Sequence, residues 1–143
     1  MLGVIFSIIA GAAMSFQGVM NTRLGEKIGL YESNVFVQGT AFALSLLAMW
    51  ILGNGNFKAI SEVGRVYWLG GALGLIITVT VMLGIKDLSP TVAISIILIS
   101  QLLVAAVIDA FGFFETERVI FHWTKFAGIA LMIGGVLLFK LKS

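Results

Sequence analysis

The chain has 143 residues, 59% of them hydrophobic and 11% charged, with a formal net charge of +2. A soluble domain carries about a quarter charged residues to solvate its surface, so nine Lys/Arg and seven Asp/Glu exclude an ordinary water-soluble globule and point to lipid as the solvent. Cysteine is absent, which excludes disulfides, thiolate metal sites and cysteine nucleophiles, and the basic residues are scattered singly between apolar runs, with no patch for nucleic acid.

A helix needs about 20 apolar residues to cross the ~30 Å hydrocarbon core, and five segments meet or approach that length. The first runs from Leu2 to about Met20. No basic stretch precedes its apolar run, so it reads as a retained helix rather than a cleaved signal. It carries Gln17 and Asn21, four residues apart and therefore on one face. Two readings stand for this pair: the hydrogen-bonding wall of a solute path, or amides that bond across neighbouring helices. Gly11 and Ser15 give the same helix a small-xxx-small packing face.

The second segment, from about Ser33 to Leu52, holds Gln38 near an interface, where a structural role is expected. Gly53-Asn54-Gly55-Asn56 then marks a turn. The third, Val66 to Ile85, carries Gly70 and Gly74 as a second packing face.

The fourth begins sharply at Ser89-Pro90, an N-cap followed by proline at the first helical position, and runs to about Phe111. Gln101 falls near its middle, where no water is at hand and an amide must pair with another polar group. Asp109 is the only acid inside a predicted span. It is either an ion- or proton-coupling carboxylate, or counter-charge to a cationic solute, or else an interfacial acid paired with Arg118 or Lys125.

The fifth segment, about residues 122–140, has a short apolar stretch, Phe126 to Phe139. It borrows Val119 to Trp123, with Lys125 and Lys140 snorkelling to the interfaces. Ala130 and Gly134 form its packing face.

All three tryptophans (Trp50, Trp68, Trp123) and both tyrosines (Tyr31, Tyr67) fall at predicted helix ends, as an interfacial aromatic belt requires. With five spans, Lys58, Arg65, Arg118 and Lys125 share one side of the membrane. Arg23, Lys27, Lys86, Lys140 and Lys142 share the other. Orientation follows the Lys/Arg excess, so four against five instructs it weakly. Either copies insert both ways and pair antiparallel, or the translocon or a partner sets one orientation. At ~1.5 Å per residue, Gln17 and Asp109 each lie on the order of 10 Å from the midplane, on opposite sides. In an antiparallel pair they would share a depth and line the two mouths of one path. No linker or low-complexity stretch interrupts the chain, so residues 1–143 read as a single transmembrane domain.

Site chemistry is otherwise thin. His122 is the single histidine and sits in an interfacial aromatic cluster, so neither a metal site nor histidine-based catalysis is expected. No phosphate-binding or dinucleotide fingerprint is present. An enzyme is not expected, and no cofactor or metal is implied.

From Leu88 onward, "LSPTVAISIILISQLLVAAVIDAFGFFETERVIFHWTKFAGIALMIGGVLLF" resembles the closing two helices of the drug/metabolite transporter superfamily. A Ser/Pro-capped helix there ends near a Glu-Arg pair, here Glu117-Arg118, and a Gly-rich helix follows, here Gly128 to Leu138. The stretch "GAAMSFQGVMNTRLGEKIG", with Gln17, Asn21 and Gly25, together with "IDAFG" at Ile108 to Gly112, resembles the half-length, five-helix YdcZ-type branch, which is related to EamA-like and small multidrug-resistance transporters.

The resemblance implies an all-α integral membrane protein, half of an inverted-repeat transporter fold, in the bacterial inner membrane. Its solute site would lie between two halves. It implies secondary-active export of a small metabolite or drug-like solute by a homodimer or a paralogue heterodimer. The alternatives are a non-transporting membrane subunit or the partner of a paralogous half-transporter. Gln17 also resembles the place where small multidrug-resistance transporters carry a proton-exchanging glutamate. A glutamine cannot titrate, so that coupling route is absent here. Gln17, Asn21, Gln101 and Asp109 are the expected pathway residues, and Gly11, Gly70, Gly74 and Gly134 the expected helix-packing glycines.

Overall fold

The computed structural model describes residues 1–119 and 122–140. Ile120, Phe121 and Lys142, and the snorkelling expected of the Lys140 side chain, lie outside the described residues. The fold is all-α: α1 Leu2–Ile28, α2 Leu30–Leu52, α3 Gly70–Asp87, α4 Pro90–Phe111 and α5 Trp123–Lys140. Three of these, and a fourth formed by α3 with the 3-10 turn before it (Arg65–Asp87), are long and apolar enough to cross a membrane, and α5 contributes a shorter apolar stretch, Trp123–Leu138.

The chain divides into two compact units, residues 1–86 and 87–143. In the first, α1 continues to Ile28, past the end expected near Met20. The polar segment after Met20 remains helical because nothing in it breaks a helix until Gly29. That glycine alone joins α1 to α2. Its φ of +105° is open to glycine and strained for other residues, and a Cβ there would also meet the Glu32 carboxylate, which folds back over it. Gly29 N–H donates to the Gly25 carbonyl at 3.0 Å and Ser33 N–H to the Gly29 carbonyl at 3.0 Å, so the elbow wastes few backbone groups.

After α2, the Gly53–Asn56 turn leads into a 3-10 turn, Phe57–Ser61. The Asn56 side chain caps it by accepting from Lys58 N–H at 3.0 Å. A second 3-10 turn, Arg65–Leu69, runs directly into α3.

In the second unit, Ser89 caps α4 as its sequence predicts, its hydroxyl accepting from Val92 N–H at 3.4 Å with Pro90 at the first helical position. At the other end, Gly112 adopts the left-handed conformation (φ +67°) and donates to the Ile108 carbonyl at 2.8 Å. The following loop then closes over the helix end. Val119 N–H donates to the Asp109 carbonyl at 3.0 Å and Arg118 Nε–H to the Phe111 carbonyl at 3.1 Å. Terminal carbonyls that a helix cannot satisfy itself thus find donors in the loop, and the guanidinium complements the negative end of the helix dipole. Phe111 stacks on Phe113 with ring centroids 5.5 Å apart.

Most large apolar side chains are exposed. Phe16, Leu131 and Trp50 are 71%, 78% and 82% exposed, a surface that hydrocarbon accepts and water does not. All five belt aromatics are exposed as well: Tyr31 in the first turn of α2, Trp50 in its last, Tyr67 and Trp68 just before α3, and Trp123 opening α5.

Candidate functional site

The interior of the first unit is unusual for its polarity. Asn21, Thr22, Ser33 and Asn34 are all buried, alongside Met82 and Ile85. Two glycines of α1 make room for α3 there. A Cβ on Gly18 would come within 2.9 Å of Ile85 Cδ1 and 3.1 Å of Val81 Cγ1, and one on Gly25 within 2.6 Å of Met82 Cε. Between those glycines, the Thr22 hydroxyl donates to the Gly18 carbonyl at 2.7 Å, with the Met82 carbonyl 3.5 Å away. From α2, the Ser33 hydroxyl donates to the Leu30 carbonyl at 3.1 Å and lies 3.8 Å from Met82 Sδ. A cleft of about 130 Å³ opens beside this cluster, lined by Thr22, Gly25, Leu30 and Met82 and by the exposed Glu26 and Lys86.

Of the residues expected to line a path, Asn21 is buried in this cluster, Gln17 is exposed on α1, Gln101 is exposed on α4 and Asp109 is half-buried near the end of α4. Gln38 is half-buried, its Nε2 3.5 Å from where a Cβ on Gly74 would stand. The side chains of Gln17, Asn21, Gln38 and Gln101 make no hydrogen bond among the described residues, and Asp109 makes no ion pair there. The Arg118 guanidinium, one expected partner for Asp109, is turned to the Phe111 carbonyl instead.

Helix bounds fix where these groups fall along their own axes. Ser15 is the central residue of Leu2–Ile28, so Gln17 stands ~3 Å along the axis from mid-helix at 1.5 Å per residue. Ser100 and Gln101 are the central pair of Pro90–Phe111. The depth match expected between Gln17 and Asp109 refers to the apolar run that ends near Met20, which the polar extension of α1 to Ile28 leaves where it was. Gln17 and Gln101 both sit near the middle of their helices. On α4, Gln101 and Asp109 are eight residues apart and share a face.

Among the described residues, a Cβ on Gly11, Gly70 or Gly134 would meet nothing within 4 Å beyond its own helix backbone and chain neighbours, whereas Gly74 faces Gln38. Inside the first unit, α3 side chains also meet Gly18 and Gly25. Their signal was legible as Gly18, Thr22 and Gly25, at i, i+4 and i+7, one small face of a helix. In the second unit, α4 and α5 border an apolar cavity of about 370 Å³, lined by residues including Leu103, Val107, Phe111, Ile129 and Ile133.

Sequence reasoning missed Asn34. The helix starts at Leu30, upstream of the start expected near Ser33, and Asn34 lies buried inside it.

A family model described as "Putative inner membrane exporter, YdcZ" matches residues 2–138 of the chain. Comparison with curated proteins and with solved structures gives no match. The family match and the apolar helices together make the chain a multi-pass protein of the inner membrane.

Proposed function

We propose that this chain, which belongs to the YdcZ-type family of inner membrane exporters, is half of a secondary carrier that exports a small metabolite or drug-like solute from a path completed by a second half. The reading rests on one observation: Gln17 and Gln101 stand near mid-helix, exposed, with no hydrogen-bond partner among the described residues. An amide left bare to hydrocarbon is costly, so both side chains call for polar partners from outside the protomer. A second copy and a polar solute supply them together.

The open glycines fit the same picture. Gly11, Gly70 and Gly134 offer backbone that a neighbouring helix can approach closely. Asp109, on the same α4 face as Gln101, is the group we assign to coupling or to a cationic part of the solute. The homodimer is the simplest second half, and the near balance of Lys/Arg across the membrane fits antiparallel insertion.

The test is flux in proteoliposomes. Wild-type protein is expected to move at least one solute of a metabolite and drug panel down an imposed gradient, with Gln17→Leu and Gln101→Leu each lowering the rate tenfold or more. Protein that folds and dimerises but moves nothing from the panel would favour a non-transporting subunit.

A further inference from the structure

Residues 53–64 connect two membrane-spanning segments, Leu30–Leu52 and Arg65–Asp87, so both ends of this stretch enter the same membrane surface. Its 3-10 turn, Phe57–Ser61, is sided. In a 3-10 helix, side chains three apart lie one above the other. Phe57 and Ile60 therefore share one edge, and Lys58 and Ser61 share the next. Ala59, on the third edge, is the one half-buried residue of the turn. Phe57 is 73% exposed and Ile60 52%, and Val63, three residues further on, is exposed too. The backbone of the turn is meanwhile satisfied from within. Ala59 N–H donates to the Asn56 carbonyl at 3.2 Å and Glu62 N–H to the Ala59 carbonyl at 3.0 Å. The Asn56 side chain accepts from Lys58 N–H, and the Ser61 hydroxyl donates to the Lys58 carbonyl at 3.0 Å. Polar groups cost most to move out of water when they lack a hydrogen bond, so this backbone is suited to a partly dry medium.

We infer that residues 57–63 are an interfacial anchor, a docking surface whose partner is the phospholipid bilayer. Phe57, Ile60 and Val63 sink into the boundary between headgroups and acyl chains, while Lys58 and Arg65 reach the lipid phosphates. Lys58 and Arg65 outnumber Glu62 in this stretch, so its charge complements phosphate. The exposed Tyr67 and Trp68 follow directly, and such aromatics sit at headgroup level; the apolar edge thus continues a surface already at that depth. The anchor stands whether or not the chain carries a solute.

The absence of cysteine allows a direct test on the full chain in nanodiscs of phosphatidylethanolamine and phosphatidylglycerol. A nitroxide is attached to single-cysteine variants Phe57→Cys, Lys58→Cys, Ile60→Cys and Ser61→Cys. Its collisions with oxygen, which concentrates in lipid, are compared with those with a water-soluble nickel chelate. The oxygen-to-nickel ratio is expected to be about threefold or more higher at Phe57→Cys and Ile60→Cys than at Lys58→Cys and Ser61→Cys, because only the first two enter lipid. Equal ratios at all four sites would place the turn in water and overturn the anchor. Poor access of both reagents to Phe57→Cys and Ile60→Cys would overturn it as well, by showing that a second copy or another protein covers that edge. In a second arm the nitroxide sits at Val63→Cys, and Phe57→Asn with Ile60→Asn is expected to lower its ratio by about threefold as the turn lifts from the lipid. An unchanged ratio at Val63→Cys in that variant would show that the apolar pair does not hold the turn down, which equally rejects the anchor.

Discussion

Met82 lies across Gly25: a Cβ built on that glycine would come within 2.6 Å of the Met82 methyl group and 3.3 Å of Ser33 Oγ. One α3 side chain thus fills the space left by a missing side chain on α1 while its sulfur stays 3.8 Å from a hydroxyl on α2. Three helices meet at this contact, and it is where the first unit is most sensitive to volume.

The neighbouring glycine gives the cleaner prediction. Gly18 faces Val81, whose β-branched side chain cannot swing aside, as well as Ile85. Gly18→Val is expected to destabilise the protein by about 1–3 kcal/mol through overpacking, seen as a lowered thermal midpoint in detergent. Gly25→Ala should cost less, because the Met82 methyl group is the end of a flexible chain. Gly11→Val, with open space around it, should leave the midpoint of the isolated protomer unchanged. A Gly18→Val protein as stable as the wild type would show that α1 and α3 do not pack as described.

The end of α4 is a second weak point. Gly112→Ala places a side chain in the left-handed conformation, at roughly 1–2 kcal/mol, and sets it 2.8 Å from Arg118 Cγ. Arg118→Ala removes the donor to the Phe111 carbonyl, worth about 1 kcal/mol. Both variants are expected to speed amide exchange in the last turn of α4 while leaving α1 and α2 untouched. Unchanged exchange in Arg118→Ala would mean the guanidinium does not cap the helix.

At the opposite end of α4, Ser89→Ala deletes the N-cap acceptor of Val92 N–H. Helix caps of this kind contribute about 1 kcal/mol, so the thermal midpoint should fall modestly, with Ser89→Asp restoring it. A variant with an unaltered midpoint would show that Pro90 alone sets the start of the helix.

Asp109 carries the prediction about coupling. Asp109→Asn keeps size and polarity but removes the ionisable group. If that carboxylate couples transport, the variant should lose the pH dependence of flux while Gln101→Leu keeps it and loses rate. Asp109→Asn flux that follows the wild-type pH profile for every transported solute would reject the coupling role.

Orientation is open to a reporter fused to the C-terminus. Dual insertion predicts comparable signals from both faces of the membrane, and adding two lysines to the loop holding Lys58 and Arg65 should bias the population to one. A single strong signal from the unaltered chain would instead favour a paralogous partner or a parallel pair.

Composition and local chemistry determined by themselves that the chain is helical and lives in lipid. Long apolar runs have no other solvent, and Ser89-Pro90, Gly53–Asn56 and the five belt aromatics mark boundaries through interactions a few residues long. The length of α1 was less legible, because hydropathy reports where hydrocarbon ends and a helix can continue past it to Ile28. What only the tertiary structure decided is which side chains face inward. Gly18, Thr22 and Gly25 form a small helix face in sequence, as Gly11 and Ser15 do, yet α3 side chains meet the former and leave Gly11 open. Asn34 is buried inside α2, which the single-residue turn at Gly29 starts at Leu30. In a chain this apolar, neither lipid nor protein repels a hydrophobic face, so periodicity cannot tell inside from outside, and only the contacts between helices assign each polar group its surroundings.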